Sequence, residues 1–176
     1  MTAPCLILTA LATSGLRPNT DQPLELGLLA VDRRTFEMVD LLTIVMHADP
    51  SSFLVSLDPF VADMHAGNGL LEDLVEALPA KYASFDDAAR AAASAGCDFI
   101  EANGATGECR SPLICFGVDF THRWLKTRFS GLPGQFFGEL DMTTVLRVQG
   151  RQRPKGTGRA EDTLMQLHET LKGLRP

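Results

Sequence analysis

The fold of this 176-residue chain is decided near its start, by the segment CLILTALATSGLRPNTDQPLELGLLAVD at residues 5–32. Its first part, CLILTAL at 5–11, is an almost continuous apolar run, which is typical of a strand covered on both faces. A second apolar run, PLELGLLAVD, occupies 23–32, and a third follows at 36–47 after a short charged turn. The short connections predict that these three strands are antiparallel neighbours.

Helical patterns then alternate with two shorter apolar runs. The predicted helices begin after Asp58, at 69–78 behind the cap Asn68 and before Pro79, after Ser84, at 121–130 and at 160–174. A fourth strand is predicted at 113–117, a short fifth strand within 139–146, and a flexible basic loop at 147–159. This order predicts one α/β domain over residues 1–176, with a mixed five-stranded sheet flanked by helices.

The composition favours a compact soluble domain, with 45% apolar and 22% charged residues. No apolar run is long enough to span a bilayer, and no basic residue precedes the first apolar run, as a secretory signal would require. The four cysteines form no C-x-x-C pair, so neither a zinc site nor a dithiol motif is indicated. We therefore expect a cytoplasmic protein with reduced thiols and no cofactor.

Positive charge is concentrated in one part of an acidic chain. The net charge is −6, yet the segment from Arg123 to Arg159 carries eight basic and two acidic residues. Such a segment can face phosphate, or it can be a solvated loop that offsets a neighbouring acidic surface. Both interpretations stay open.

Several blocks together carry a resemblance to a known family. They are LILTALATSGL (6–16), DQPLELGLLAVD (21–32), HADPSSFLVSLDPFVADMHAGNGLLEDL (47–74), SPLICFG (111–117), GELDMTTVL (138–146) and RAEDTLMQL (159–167). In order and spacing they resemble oligoribonuclease and the wider DEDDh 3′–5′ exonucleases, from about residue 6 to 172. The resemblance implies a ribonuclease H-like fold, with an additional piece near 97–110, and a homodimer as one expected assembly.

The resemblance also locates a metal site whose ligands are missing. Family members hold two divalent cations with four carboxylates, and a histidine acts as general base. The first two carboxylates fall on Ala10 and Ala12, and no shift of the alignment replaces them, because the first acidic residue of the chain is Asp21. Alkyl groups cannot replace the oxygen ligands that Mg²⁺ or Mn²⁺ requires.

The other two motifs are also altered. The aspartate of the second motif falls on Thr121 or on His122, depending on which neighbours are matched. In the third motif the histidine becomes Gly158 and the aspartate becomes Thr163. We therefore predict a naturally degenerate exonuclease domain with no catalytic residues and no metal site.

Three positions that contact a nucleotide in the family keep a candidate residue. Leu16 matches a leucine that wedges beside a base, and His65 matches a histidine near the base. Each also has an ordinary structural interpretation, as an apolar loop residue and as a helix-terminal cap. Glu25 matches the glutamate of the family's second strand, and is either a contact to a terminal nucleotide or a buried carboxylate paired with a backbone donor.

The basic loop before the third motif supplies candidate phosphate contacts. Its members are Arg151, Arg153, Lys155 and Arg159. In the family this region borders the nucleic-acid entry, and basic side chains there can neutralise phosphates without reading the sequence. Only Trp124 and Tyr82 provide an indole or a phenol, so no aromatic stacking platform is predicted.

Three hypotheses of function follow. The first is a domain that binds a nucleotide or short single-stranded nucleic acid without hydrolysing it. The second is an interaction module that binds a protein partner on the old scaffold. The third, ranked last, is a residual metal-dependent exonuclease with relocated acids at Asp119, Glu161 and Asp162.

Overall fold

A computed structural model describes residues 5–49, 51, 57–76, 81–106 and 110–174 of the chain. The predicted end of the second helix at Leu78 and Pro79 lies outside the described residues, as does Cys109. The described free cysteines are Cys5, Cys97 and Cys115.

A mixed five-stranded sheet forms the centre of the fold. Its strands are β1 (Cys5–Thr13), β2 (Pro23–Asp32), β3 (Met38–Val45), β4 (Leu113–Cys115) and β5 (Glu139–Asp141). Their spatial order is β3-β2-β1-β4-β5, with β1, β2 and β3 paired antiparallel and β4 parallel to both β1 and β5. The predicted mixed sheet is confirmed, because the short connections gave antiparallel neighbours and the helical connections gave parallel ones.

Helices cover both faces of the sheet. Within the described residues they are α1 (Pro59–Gly67), α2 (Leu70–Glu76), α3 (Phe85–Ala102), α4 (Val118–Arg128), α5 (Met142–Val148) and α6 (Ala160–Lys172). The predicted caps are confirmed: Asp58 accepts from the Phe60 N–H, Asn68 from the Leu70 N–H and Ser84 from the Asp87 N–H. No helix in this part of the chain has both the length and the apolar character needed to cross a membrane.

One predicted boundary is wrong. The segment predicted to hold only a short strand and then a loop contains helix α5 at Met142–Val148. The Asp141 carboxylate starts this helix by accepting hydrogen bonds from the Thr143 N–H (2.9 Å) and the Thr144 hydroxyl (3.0 Å). Its β-branched residues favour a strand locally, and the cap and the burial of Met142 and Leu146 overcome that preference.

Two hydrophobic cores lie on the two sides of the sheet. The core beneath α3 includes Ile7, Leu26, Leu28, Ala89 and Ala93. The core beneath α5 and α6 includes Leu8, Leu29, Ile114, Leu146 and Leu167. Because β1 and β2 contribute to both cores, the continuous apolar runs that the sequence shows there are explained.

Helix α6 approaches the sheet closely at Gly27. In the β1–β2 register Gly27 lies opposite Ala10, and both are small. A Cβ built at Gly27 would lie 2.8 Å from Leu164 Cδ1 and 3.1 Å from Ala160 Cβ. The first turns of α6 are therefore seated directly on the middle of β1 and β2.

This close approach predicts that Gly27→Ala destabilises the fold. The added methyl group overpacks the contact with Leu164, so the free energy of unfolding should fall by about 1–3 kcal/mol in urea titrations. Gly67→Ala is the matched control, because a Cβ there meets nothing within 4 Å. Equal effects of the two substitutions would contradict the proposed seating of α6.

Candidate functional site

A cavity of about 310 Å³ opens beside β1, past the carboxyl end of β4. Strand β4 pairs with β1 only at Leu8 and Ile114, so the later part of β1 borders open space. The described lining residues are Thr9, Ala10, Leu11, Leu16, Met64, Phe116, Gly117, Phe120, Thr121, Arg153, Gly156, Gly158 and Thr163. In open α/β sheets, ligands bind at the carboxyl ends of strands in this way.

The cavity brings together residues that are far apart in sequence. Of the predicted site residues, it gathers Ala10, Leu16, Thr121, Arg153, Gly158 and Thr163. The remaining predicted residues, which are Ala12, Glu25, His65, His122, Arg151, Lys155 and Arg159, are not among its lining residues.

The two candidate residues of the second motif, Thr121 and His122, lie in different places. Thr121 lines the cavity and is 3% exposed, whereas His122 is half-exposed and its Nδ1 contacts the Glu139 carboxylate. The Thr121 side chain hydrogen-bonds the Cys115 thiol, and burial raises the pKa of Cys115 to about 12. Helix α4 therefore presents a neutral hydroxyl to the cavity, and the Cys115 thiol on β4, which is not a lining residue, is protonated.

The walls of the cavity are not suited to a divalent cation. Ala10 and Ala12 are both 3% exposed, and no carboxylate occurs among the described lining residues. No group of three His, Cys, Asp or Glu side chains in the described part of the chain is arranged to hold a metal. A two-metal site needs several oxygen ligands, so these residues do not fit the two divalent cations of the family that the chain resembles.

The proposed relocated acids are not gathered at the cavity. Asp162 accepts a hydrogen bond from the Thr157 hydroxyl at 2.5 Å. Asp119 borders a separate surface hollow together with Arg123 and Lys126. Glu161 is exposed in the first turn of α6.

Gly158 is the residue at the predicted general-base position, and its backbone geometry favours glycine. Its φ is +92°, a conformation that side-chain-bearing residues rarely adopt. A Cβ there would lie 2.8 Å from Asn68 Nδ2 and 3.0 Å from Met64 Sδ. Asn68 Nδ2 in turn donates to the Thr157 carbonyl at 2.7 Å. A histidine could enter only if this loop moved.

A buried ion pair fixes the start of α6 beside the cavity. Glu25 is 1% exposed, and its carboxylate accepts from the Ala160 N–H at 2.6 Å and from Arg159 Nη2 at 2.9 Å. Arg159 also donates to Asp73 at 2.5 Å. Burial opposes the charge of Arg159, but the hydrogen bonds that it donates to Asp73 and Glu25, and the charges of these carboxylates, outweigh burial and raise the pKa of Arg159.

This ion pair explains the positions of Glu25 and Arg159, which were both predicted to contact a ligand. Glu25 has the geometry of the second interpretation, a buried carboxylate with a backbone donor, and both of its oxygens are used inside the protein. Arg159 is not brought to the cavity, because its guanidinium is committed to two carboxylates. Its role here is to join β2, α2 and α6.

His65 lies behind the cavity and not on its surface. It is fully buried on α1, with Nε2 3.0 Å from the Thr13 carbonyl, which assigns the proton to Nε2 in the neutral ring. Burial lowers the pKa of His65 below its ordinary value. The residue therefore joins α1 to the end of β1 as a neutral donor.

Of the predicted phosphate contacts in the basic loop, Arg153 lines the cavity. The Arg153 guanidinium lies over the Phe116 ring, 4.9 Å from its centroid. The Arg151 guanidinium lies near the carboxyl end of α6, where a Cβ on Gly173 would be 3.5 Å from Nη1. Lys155 is exposed, and its carbonyl accepts from Gln166 at 3.0 Å.

Sequence reasoning missed the aromatic part of the lining. Phe116 and Phe120 both border the cavity, although no stacking platform was predicted from Trp124 and Tyr82. Trp124 is fully buried in the core. The available signal was Phe116 itself, which directly follows the fourth strand at the end where ligands bind.

Comparison with solved structures identifies the fold. The nuclease domain of 3′hExo, a DEDDh family member bound to rAMP, matches with a TM-score of 0.63 at 12% identity, over 98% of this chain and 92% of that domain. Exonuclease I of E. coli, in a zinc-bound complex with single-stranded DNA, matches with a TM-score of 0.57 at 11% identity, over 97% of this chain. A full-length 3′-exonuclease matches with a TM-score of 0.53 at 8% identity.

These likenesses confirm the predicted ribonuclease H-like fold of DEDDh exonucleases. The chain spans about 40% of the length of exonuclease I and 61% of that of the 3′-exonuclease. No protein-family model matches the sequence, and no match was found among curated proteins. At identities this low the likeness concerns the fold alone.

The buried ion pair predicts a large difference between two amide substitutions. Glu25→Gln leaves Arg159 without its buried partner, so the free energy of unfolding should fall by about 3 kcal/mol. Asp73→Asn is the matched control, because the Asp73 side chain is 45% exposed, and its loss should cost less than about 1 kcal/mol. Urea titration measures both, and a similar cost for the two would reject Glu25 as the fixed point.

The lowered pKa of His65 predicts acid sensitivity. In the unfolded chain histidine protonates near pH 6.5, while folded His65 stays neutral to lower pH, so the unfolded state binds more protons between these values. Stability should therefore fall as the pH drops below about 6.5, by up to about 1.4 kcal/mol per pH unit. His65→Gln keeps a donor for Thr13 and should flatten this slope in pH-dependent urea titrations. An unchanged slope would assign the sensitivity elsewhere.

Proposed function

We propose that this chain binds a nucleotide, or the end of a short single-stranded nucleic acid, without hydrolysing it. One observation carries the proposal. The cavity at the carboxyl end of β4 is open, and an arginine lines it. Small neutral side chains stand at the positions where the nucleases that the sequence resembles are expected to carry metal ligands.

The described lining of the cavity lacks the groups that metal-dependent hydrolysis requires. Two-metal phosphodiester cleavage needs cations that activate water and stabilise the leaving oxygen. Ala10, Ala12, Thr121 and Thr163 offer no carboxylate to such cations, and Gly158 offers no general base. Without these groups the barrier rises by an amount that corresponds to many orders of magnitude in rate.

The volume of the cavity and the helix dipoles beside it favour the binding of a nucleotide. The volume of about 310 Å³ lies at the lower end of ligand pockets, which fits one nucleotide unit. The cavity touches α4 at Thr121 and α6 at Thr163, both in or next to the first helical turn, where the helix dipole favours anions. Two proteins of this fold have been captured with single-stranded DNA and with rAMP.

A protein-interaction module is the second candidate. It is favoured by large apolar side chains at the surface, of which Phe60 and Phe137 are each 76% exposed and Val148 is 84% exposed. One protein of this fold, exonuclease I, has been captured in an SSB-Ct complex. These side chains lie on different elements, so we rank this candidate below the nucleotide binder.

The experiment is a salt titration with labelled five-nucleotide RNA and DNA, followed by fluorescence anisotropy. Affinity should fall linearly on a log–log plot, by about 0.7 in the exponent for each phosphate contact. Arg153→Ala should weaken binding and reduce this slope by about one contact, whereas Arg90→Ala, on α3 outside the cavity lining, should change neither.

Two outcomes would contradict the proposal. If neither oligonucleotide binds at low salt, the binder is rejected and the protein-interaction module takes its place. If incubation with Mn²⁺ shortens the oligonucleotides and Asp162→Ala abolishes this activity, the protein is instead an enzyme with relocated acids.

A further inference from the structure

We propose that Arg128, which lies outside the cavity lining, is a positioning residue that holds the loop at 14–22 in place, so that Leu16 stays at the cavity mouth. The inference rests on the proposed function and specifies how the mouth of that site keeps its shape before a ligand enters. Leu16 lines the cavity and is 74% exposed. Because a side chain with so much exposed surface has few packing partners, the backbone of its loop must fix its position.

Arg128 connects this loop to two helices. It is the last residue of α4, and its side chain is 13% exposed. Its Nε donates to the Pro18 carbonyl at 2.5 Å and its Nη2 to the Asp21 carbonyl at 3.0 Å, while its Nη1 pairs with the Asp86 carboxylate on α3. The donors of a guanidinium lie in one rigid plane, so these contacts fix the loop relative to both helices.

The hydrogen bonds of Arg128 cross a surface hollow. This hollow has a volume of about 360 Å³ and is bordered by the loop, by α3 and by the end of α4. Its described lining residues are Pro18, Asn19, Asp86, Arg90, Thr127, Arg128 and Ser130. None of these is a large apolar side chain, so the polar contacts of Arg128 hold the loop where apolar packing is not available.

The two ends of the loop are fixed to the sheet. The Ser14 N–H donates to the Gln22 carbonyl at 2.9 Å, and the Gln22 N–H donates to the Ser14 hydroxyl at 2.7 Å. Directly before them, the Thr13 carbonyl accepts from buried His65 on α1. These contacts fix the base of the loop and leave its far side to be fixed from α4.

One carboxylate connects Leu16 to the part of the loop that Arg128 holds. The Asp21 carboxylate accepts from the Arg17 N–H at 2.7 Å, and a Cβ built at Gly15 would overlap the same carboxylate. The residues on both sides of Leu16 therefore contact one side chain, and the carbonyl of that same residue accepts from Arg128. The position of Leu16 thus depends on the contact between Arg128 and Asp21.

This arrangement joins two parts of the cavity lining. Leu16 belongs to the loop, whereas Phe120 and Thr121 belong to α4, the helix that ends at Arg128. A mouth whose parts are joined before a ligand arrives loses less conformational entropy on binding. Arg128 therefore strengthens binding without lining the cavity.

Hydrogen exchange of the full chain without ligand, followed by NMR, tests the contact with the loop. Arg128→Ala should speed the exchange of the loop amides at 14–22 at least about tenfold, because two carbonyls lose a charged donor. Arg90→Ala is the control, because it removes the same charge from the same hollow, and Arg90 contacts Asp87 on its own helix. Loop exchange should stay unchanged in that variant.

A double-mutant cycle tests whether Arg128 acts through Leu16. Arg128→Ala should weaken binding of the labelled five-nucleotide RNA about fivefold in the unchanged chain, but less than about twofold in the Leu16→Ala background. A purely structural role would weaken binding by the same factor in both backgrounds, because the effects of independent sites add. Arg90→Ala again controls for the loss of positive charge.

Arg128→Lys keeps the charge but gathers its donors on one nitrogen. It should therefore show both effects in reduced form, with loop exchange faster than in the unchanged chain and slower than in Arg128→Ala. Urea titration checks that each variant is folded, and Arg128→Lys carries the test if Arg128→Ala does not fold.

The outcomes separate this inference from the proposed function. Unchanged loop exchange in Arg128→Ala, or equal weakening of RNA binding in both backgrounds, would overturn the positioning role and leave the nucleotide binder intact. Faster loop exchange in Arg128→Ala, with no binding of RNA to any form of the chain, would reject the nucleotide binder and retain Arg128 as the residue that places Leu16.

Discussion

The arrangement of the cavity depends on one buried carboxylate. Glu25 projects from β2 and accepts from the first N–H of α6 and from Arg159, which also reaches Asp73 on α2. This single group therefore fixes the position of a helix whose own first residue, Ala160, packs against Gly27. Because α6 and the preceding loop form one wall of the cavity, an interaction that touches no ligand determines the shape of the site.

Most of the fold could be predicted from local signals, and the site only in part. The apolar runs of β1 and β2 and the caps at Asp58 and Ser84 act over a few residues, so the sequence displays them. Helix α5 was missed because its Thr and Val residues favour strands locally, and the cap at Asp141 and tertiary burial prevailed.

Sequence spacing alone could not predict which side chains line the cavity. Whether Thr121 or His122 faces the cavity is a question of helix phase, which the alignment left open. The hydrogen bond from Arg159 to Glu25 joins residues that are 134 positions apart, so no local sequence pattern predicts it. The seating of Arg153 on Phe116 depends in the same way on a loop that returns across the sheet.

The glycine at 158 has a consequence for how this scaffold can change. Its positive φ and its contact with Asn68 set the path of the chain into α6, and Asn68 also begins α2. Four introduced acids would supply ligands for cations, yet a proton acceptor at Gly158 would require a different loop and a different neighbour at Asn68. Conversion of this chain into a metal-dependent nuclease would therefore need several coupled changes, because the backbone at Gly158 does not admit a histidine by a single substitution.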